Sequence, residues 1–236
     1  MPETTEPFAS SENFPALADL PEWGRFTDAV RADTRRDGTP DVIRAPGLSV
    51  DFSGQRHSAE LLEAGRALLE ARGLDAQRER LFSGGRVNIT EDRAAWHTAL
   101  RAPDAPGEVQ AERTRMNEWV RTADSERRWR NIVHIGIGGS DWGVRLAAGA
   151  FGYAGMWRQV RFVANIDGHA IEGGLAGLDP RETLIVLASK SFTTAETLQN
   201  AQRAREWLIA AGITQPSAHF AAITARPTRA RDWGVP

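Results

Sequence analysis

The 236-residue sequence contains no cysteine, which excludes disulfide staples, thiol nucleophiles and cysteine-ligated metals. Lysine is almost missing: Lys190 is the only one, and every other residue in the Lys-plus-Arg count is arginine. There is no excess of charge either. The formal net charge of −2 at pH 7 gives no electrostatic case for a nucleic-acid or anionic-membrane partner. The arginines are interleaved with acids, as in ERTRMNEW and DSERRWR, the pattern of solvated helix faces and not of a basic patch. Long apolar runs are also lacking, and none approaches the roughly 20 residues that span a bilayer. The opening MPETTEPFASSENFP is acidic and polar, without the basic and then apolar regions of a secretory signal. Its Pro, Ser and Glu content predicts that residues 1–15 fray. Together these absences predict a soluble, cytoplasmic protein.

What is present is globular in character. Hydrophobic residues make up 41% of the chain, enough at this length for a substantial core in one large or two small domains. Residues 16–130 read as mainly helical. Ser58 stands as an N-cap before AELLEAGRALLEARG, whose apolar positions recur at helical spacing up to Gly73. Residues 75–82 and 90–100 predict two further helices, with Gly84–Gly85 breaking between them. Residues 108–122 predict another, with Trp119 on its buried side. From Asn131 the pattern changes to short, nearly continuous apolar runs: NIVHIGI, VRFVANI, TLIVLAS and AHFAAIT. Such runs fit strands buried on both faces. Residues 141–152, 169–178 and 194–211 between them suit helices, and ARPTRARDWGVP is a last helical stretch. The alternation predicts an α/β unit, a doubly wound parallel sheet flanked by helices. The expected division is a mainly helical region, residues 1–125, followed by an α/β domain, residues 126–236, that stops soon after its fourth strand and is expected to be incomplete.

In an open α/β sheet, ligands bind at the carboxyl ends of strands where the strand order reverses. Two strand ends here are polar and glycine-rich. In IGIGGSDWG, Gly136, Gly138, Gly139 and Ser140 link a strand to a helix, so that backbone N–H groups can approach an anion closely. A dinucleotide fingerprint would need glycine where Asp141 stands, although Asp167 offers an acid for a ribose or a cap for the next helix. The second strand end is SKSFTTAETLQN. Ser189, Ser191, Thr193 and Thr194 supply hydroxyl donors, Lys190 a compact ammonium, and the helix start free N–H groups. A phosphate monoester, with three acceptor oxygens and about two negative charges, matches that set. The plain alternative is that Thr193 or Thr194 only caps the helix while Lys190 is solvated. Four hydroxyls exceed the needs of one cap, and a second anion-suited loop lies at a neighbouring strand end. His97 reads as a helical, structural histidine and His134 as a buried strand residue. Glu196, in the first helical turn, complements the helix dipole and leaves a proton-handling role open. His57 and His169 have no identifiable partner. No residues have metal-ligand spacing, and no nucleophile–base pair can be read.

At these residues the sequence resembles the glucose-6-phosphate isomerase family. IGIGGSDWG, FVANIDG and LIVLASKSFTTAETLQNA are similar to its signatures, the last close to SKTFTT-x-ET. Upstream, VNITEDRAAWHTALR and VDFSGQR resemble two further segments, in register from about residue 50 onward. The resemblance implies a sugar-isomerase (SIS) domain with a parallel five-stranded sheet. It also implies interconversion of glucose 6-phosphate and fructose 6-phosphate through a cis-enediol. Gly139 and Ser140 would contact the sugar phosphate from the first loop. Ser189, Lys190, Ser191, Phe192, Thr193 and Thr194 would form the phosphate loop, with Ser191 where the family usually has threonine. The family's acid/base glutamate and its histidine, lysine and arginine belong to motifs downstream of any segment here. The chain is therefore expected to be the N-terminal part of an isomerase, inactive alone, with no catalytic residue assigned within it. No cofactor is expected, since a carboxylate can transfer the proton. The family also implies a homodimer. The alternatives are a stand-alone sugar-phosphate-binding module acting as a sensor, and an SIS isomerase acting on amino-sugar phosphates.

Overall fold

The computed structural model describes residues 16–33, 42–55, 58–89, 91–152 and 155–236. Residues 1–15, expected to fray, and His57 lie outside them. The chain divides into two compact units, Met1–Ala111 and Glu112–Pro236.

In the first unit, α1 (Pro21–Ala32) packs on α2 (Ala59–Ala71), with the Phe26 ring over Gly65, where there is no Cβ to hold it off. Ser58 caps α2 as its spacing predicts, its hydroxyl accepting from the Leu61 N–H at 3.2 Å. The Ser58 N–H in turn donates to the buried Asp33 carboxylate at 3.0 Å. Leu61 and Leu68 form the buried stripe of α2. The shorter α3 (Leu74–Phe82) follows. Between α1 and α2 lies an antiparallel hairpin, β1 (Val42–Ala45) with β2 (Leu48–Asp51), which interrupts the region expected to be mainly helical.

Thr90 lies outside the described residues; over residues 91–100 the expected helix does not form, and Ala99–Arg101 makes a 3-10 turn there. Asn88 and Arg93 exchange both backbone hydrogen bonds, and the Asn88 side chain accepts from the Glu91 N–H. The asparagine thus offers the backbone a turn that competes with the helical ladder. Asp92 consequently sits at φ +46°, and His97 lies exposed in a turn. Helix α4 (Gly107–Glu126) contains both the boundary between the units, at Ala111–Glu112, and the expected division at residue 125. Its Trp119 is exposed, not buried, and Ala123 is its buried residue.

The second unit holds the sheet: β3 (Asn131–Ile135), β4 (Gln159–Val163), β5 (Thr183–Ala188) and β6 (Phe220–Ile223), all parallel in the order β4-β3-β5-β6. The crossovers carry α5 (Trp142–Gly152), α6 (Gly168–Leu175) and α7 (Ala195–Ala210), and α8 (Pro227–Trp233) follows β6. Alternate residues of β5 face opposite ways. Ile185 and Leu187 join Val133, Ile135 and Val163 against Ile171 and Leu175 of α6 and Ala201, Ala204 and Leu208 of α7. Leu184 and Val186 instead meet Ala123 and Trp129. The molecule is an α/β protein of the expected class, with helices on both sheet faces. From β3 the chain moves to β4 on one side, then returns past β3 to β5 and on to β6. The strand order therefore reverses between β3 and β5, and in open α/β sheets ligands bind beyond the carboxyl ends of the strands at such a reversal. Among the described residues no helix is long and apolar enough to cross a membrane.

Candidate functional site

Both polar loops emerge at that reversal, from strands paired in register from Asn131↔Thr183 to Ile135↔Leu187. The first, residues 136–141, is supported from inside. The Gly136 N–H donates to the Val163 carbonyl at 3.2 Å, prolonging the β3–β4 pairing. A Cβ on Gly136 would stand 2.8 Å from the Ser140 carbonyl oxygen and 3.2 Å from Ala188, so only glycine lets the loop fold this tightly against the end of β5. The buried His134 donates from Nε2 to the Ser140 carbonyl at 2.8 Å, fixing the ring as a structural donor. Gly138 takes φ +60°, a left-handed turn natural to glycine. Gly139 is exposed with open space around it, and Ser140 is half-buried.

Asp141, where a dinucleotide fingerprint would need glycine, is buried and committed to Arg145. The guanidinium donates from both Nε and Nη2 at 2.9 Å. Asp167 caps α6, accepting from the His169 N–H at 2.7 Å, with His169 Nδ1 also 3.1 Å away. Its carboxylate is thereby used at home, and His169 has the partner that its sequence context did not reveal.

The second loop, residues 189–194, is held from outside. The Ser189 N–H donates to the Ile223 carbonyl at 3.1 Å, and Ser189 is buried. Its hydroxyl lies 3.2 Å from the Thr194 hydroxyl, and those of Ser191 and Thr193 are 2.6 Å apart. The four hydroxyls therefore form two adjacent pairs. Thr194 occupies the N-cap of α7, yet its side chain does not cap the helix; it turns into the loop. Lys190 is exposed, and Glu196 is half-buried in the first turn of α7. Behind them Thr197 is buried, and its hydroxyl has no hydrogen-bond partner among the described residues.

The loop's backbone is fixed by the segment after β6. The Lys190 carbonyl accepts from the Ala225 N–H at 3.1 Å and the Thr224 hydroxyl at 3.2 Å. The Ser191 carbonyl accepts from Arg229 Nη1 at 3.1 Å. Phe192 carries the turn at φ +52° while its ring is buried in the core, edge-on to Trp233 at 6.4 Å. A non-glycine residue in the left-handed region costs about 1–2 kcal/mol, and the buried ring offsets it. Sequence reading missed Thr224, Arg229 and Trp233. The signal available was strand adjacency: the end of β6 must lie beside the end of β5.

The site thus joins hydroxyls, an ammonium, glycine-loop N–H groups and a helix start, all suited to an oxyanion. Among the described residues no group of three or more His, Asp or Glu side chains converges as a metal site would require.

Comparison with known proteins follows the same lines. Glucose-6-phosphate isomerase of Bordetella pertussis is 46% identical over 217 residues, covering 90% of this chain and 42% of that protein. Glucose-6-phosphate isomerase 2 of Streptomyces coelicolor is 38% identical over 254 residues, covering 93% of this chain and 46% of that protein. A crystal structure of a glucose-6-phosphate isomerase from Chlamydia trachomatis matches with a TM-score of 0.70 and 26% identity, over 90% of this chain and 46% of its own. The chain spans less than half the length of these relatives. Phosphoglucose isomerase is also the family whose pattern matches residues 51–236, from the second strand of the hairpin through both loops to α8, and to that family this chain belongs.

Proposed function

We propose that this chain is the sugar-phosphate-holding part of an enzyme that interconverts glucose 6-phosphate and fructose 6-phosphate. The observation that carries the reading is the meeting of the two loops at the strand-order reversal, with Lys190 and the four hydroxyls on one side and Gly139–Ser140 on the other. In this reading Ser189, Lys190, Ser191, Thr193 and Thr194 hold the phosphate, and Phe192 shapes the turn. Gly139 and Ser140 approach the ligand from the β3 loop. An aldose becomes a ketose when a proton leaves C2 and one returns to C1 while a hydroxyl proton moves from O2 to O1. No electrons leave the sugar, so acid/base groups suffice. On the same reading those groups belong to segments of the family that this chain does not contain. Glu196, half-buried beside the loop, stands near the ligand in a supporting role.

The exposed apolar side chains of α5 support burial of that helix against further protein in a larger enzyme; that this enzyme is dimeric and cytoplasmic is what the family resemblance implies. Trp142, Leu146 and Phe151 are each about three-quarters exposed, more apolar surface on one helix than a finished monomer usually shows.

The test uses the chain purified from a host lacking its own isomerase. Calorimetry should show weak binding of glucose 6-phosphate, reduced about tenfold or more in Lys190→Met, and a coupled assay should show no turnover. Turnover would place the acid/base groups inside the chain. Tight, stand-alone binding would favour the sensor module, and binding unchanged in Lys190→Met would return that residue to the solvent.

A further inference from the structure

We propose that Arg229 is a positioning residue for the 189–194 loop: it covers a backbone carbonyl that would otherwise oppose the anion. The inference rests on the phosphate-holding role proposed for that loop. A tight loop offers an anion both kinds of backbone group, and the carbonyls are the wrong kind, since their negative ends repel a phosphate. In a planar trans peptide the N–H and C=O point in opposite directions, so covering the Lys190 carbonyl also aims the Ser191 N–H. Two consecutive carbonyls here are turned towards the segment after β6 and covered by its donors. That of Lys190 receives Ala225 and Thr224, and that of Ser191 receives the Arg229 guanidinium at 3.1 Å. The Ser191–Phe192 peptide is held at both ends, because the Phe192 N–H donates to the Ser189 carbonyl at 3.3 Å. Arg229 does this from the exposed face of α8, and Ala230 beside it and the Trp233 ring anchor that helix in the core. A neutral donor would satisfy the carbonyl, but a guanidinium also cancels its partial negative charge.

The control is Arg231, which carries the same charge on the same helix but turns its Nη2 to the Thr228 hydroxyl at 3.4 Å. The full chain and its variants are titrated with inorganic phosphate and with glucose 6-phosphate, followed by the amide resonances of residues 189–194. Arg229→Met should weaken both ligands about tenfold, Arg229→Lys should restore binding to within about threefold, and Arg231→Met should bind like the unmodified chain. All three should melt with the unmodified chain, as exposed substitutions do. Should Arg229→Met not fold, Arg229→Gln replaces it and should bind both ligands more weakly than Arg229→Lys. Unchanged binding in the Met or Gln variant overturns the positioning role, as does an equal loss in Arg231→Met, which would reduce the effect to net charge. Absence of phosphate binding by the unmodified chain overturns the phosphate-holding role itself, a different failure.

Discussion

The loops after β3 and β5 occupy equivalent places in the fold and are built by opposite means. The β3 loop works with what lies next to it in the chain: glycines that allow close approach, and His134 of the preceding strand, which bonds the Ser140 carbonyl. The β5 loop presents side chains, and its backbone is set by groups from the end of β6 and from α8, more than thirty residues later. Beyond the strand pairing that introduces each, one loop is local in sequence and the other depends on a distant segment. The difference separates two routes to one chemical end: backbone N–H groups need room, whereas hydroxyls need a fixed backbone to aim them.

The largest expected effect strikes the second loop. Phe192→Ala removes the buried ring and should destabilise the second unit by about 3–5 kcal/mol, read from urea unfolding, with loss of phosphate binding wherever the unit still folds. If stability fell while binding survived, the loop would not need its distant anchor, and the contrast between the loops would break. Gly136→Ala is the corresponding test of the first loop. The added methyl meets the Ser140 carbonyl at 2.8 Å and Ala188 at 3.2 Å, the latter fixed in β5 and the former held by His134. The expected cost is about 1–3 kcal/mol, with chemical-shift changes that begin at residues 134–140 and cross to Ala188.

The smallest effect should leave both loops alone. At the opposite end of the sheet, the buried His219 donates from Nδ1 to the Thr183 carbonyl at 3.0 Å, and Arg128 approaches its Nε2 at 3.4 Å. Burial pushes its pKa below the ordinary 6.5, and the Arg128 charge pushes the same way against the Thr183 carbonyl. The folded state therefore binds the proton less readily than the unfolded chain. The stabilisation is complete above the unfolded value of about 6.5 and is lost as pH falls through the lowered folded value. Urea midpoints at successively lower pH below 6.5 should decline in the unmodified chain and decline less in His219→Gln. An equal decline in both would assign the acid sensitivity elsewhere.

The same local-versus-distant distinction explains how much could be read from the sequence. All four strands of the parallel sheet were legible as short, nearly continuous apolar runs, although only the inner strands β3 and β5 are buried along most of their length and the edge strands β4 and β6 are partly exposed. Helices α5, α6 and α7 were legible from the stretches between them. Ser58 and the glycines of the first loop were legible because a cap or a tight turn is dictated by neighbours in the chain. The β1–β2 hairpin was not, since its residues are almost all exposed and carry no burial alternation. Its one signal was Pro46–Gly47, with Gly47 at φ +76°, a proline–glycine turn. Residues 90–100 had helical periodicity, but the Asn88 turn prevailed over it. In the site, the hydroxyls and Lys190 stood out by type, whereas Thr224 and Arg229 act through a hydrogen bond to backbone oxygen. Such a bond depends on which strand ends are neighbours, and the residue types alone do not reveal it.

Phe192 carries a consequence for which substitutions the loop can accept. Its backbone, at φ +52°, asks for glycine; its side chain, 4% exposed in the core, asks for an aromatic ring. Glycine would relax the turn and empty the core, and valine or isoleucine would fill part of the core while worsening the turn. Saturation mutagenesis at this one position should therefore return a very narrow set of tolerated residues, aromatic and unbranched at Cβ, at a loop position where surface variability would ordinarily be the rule.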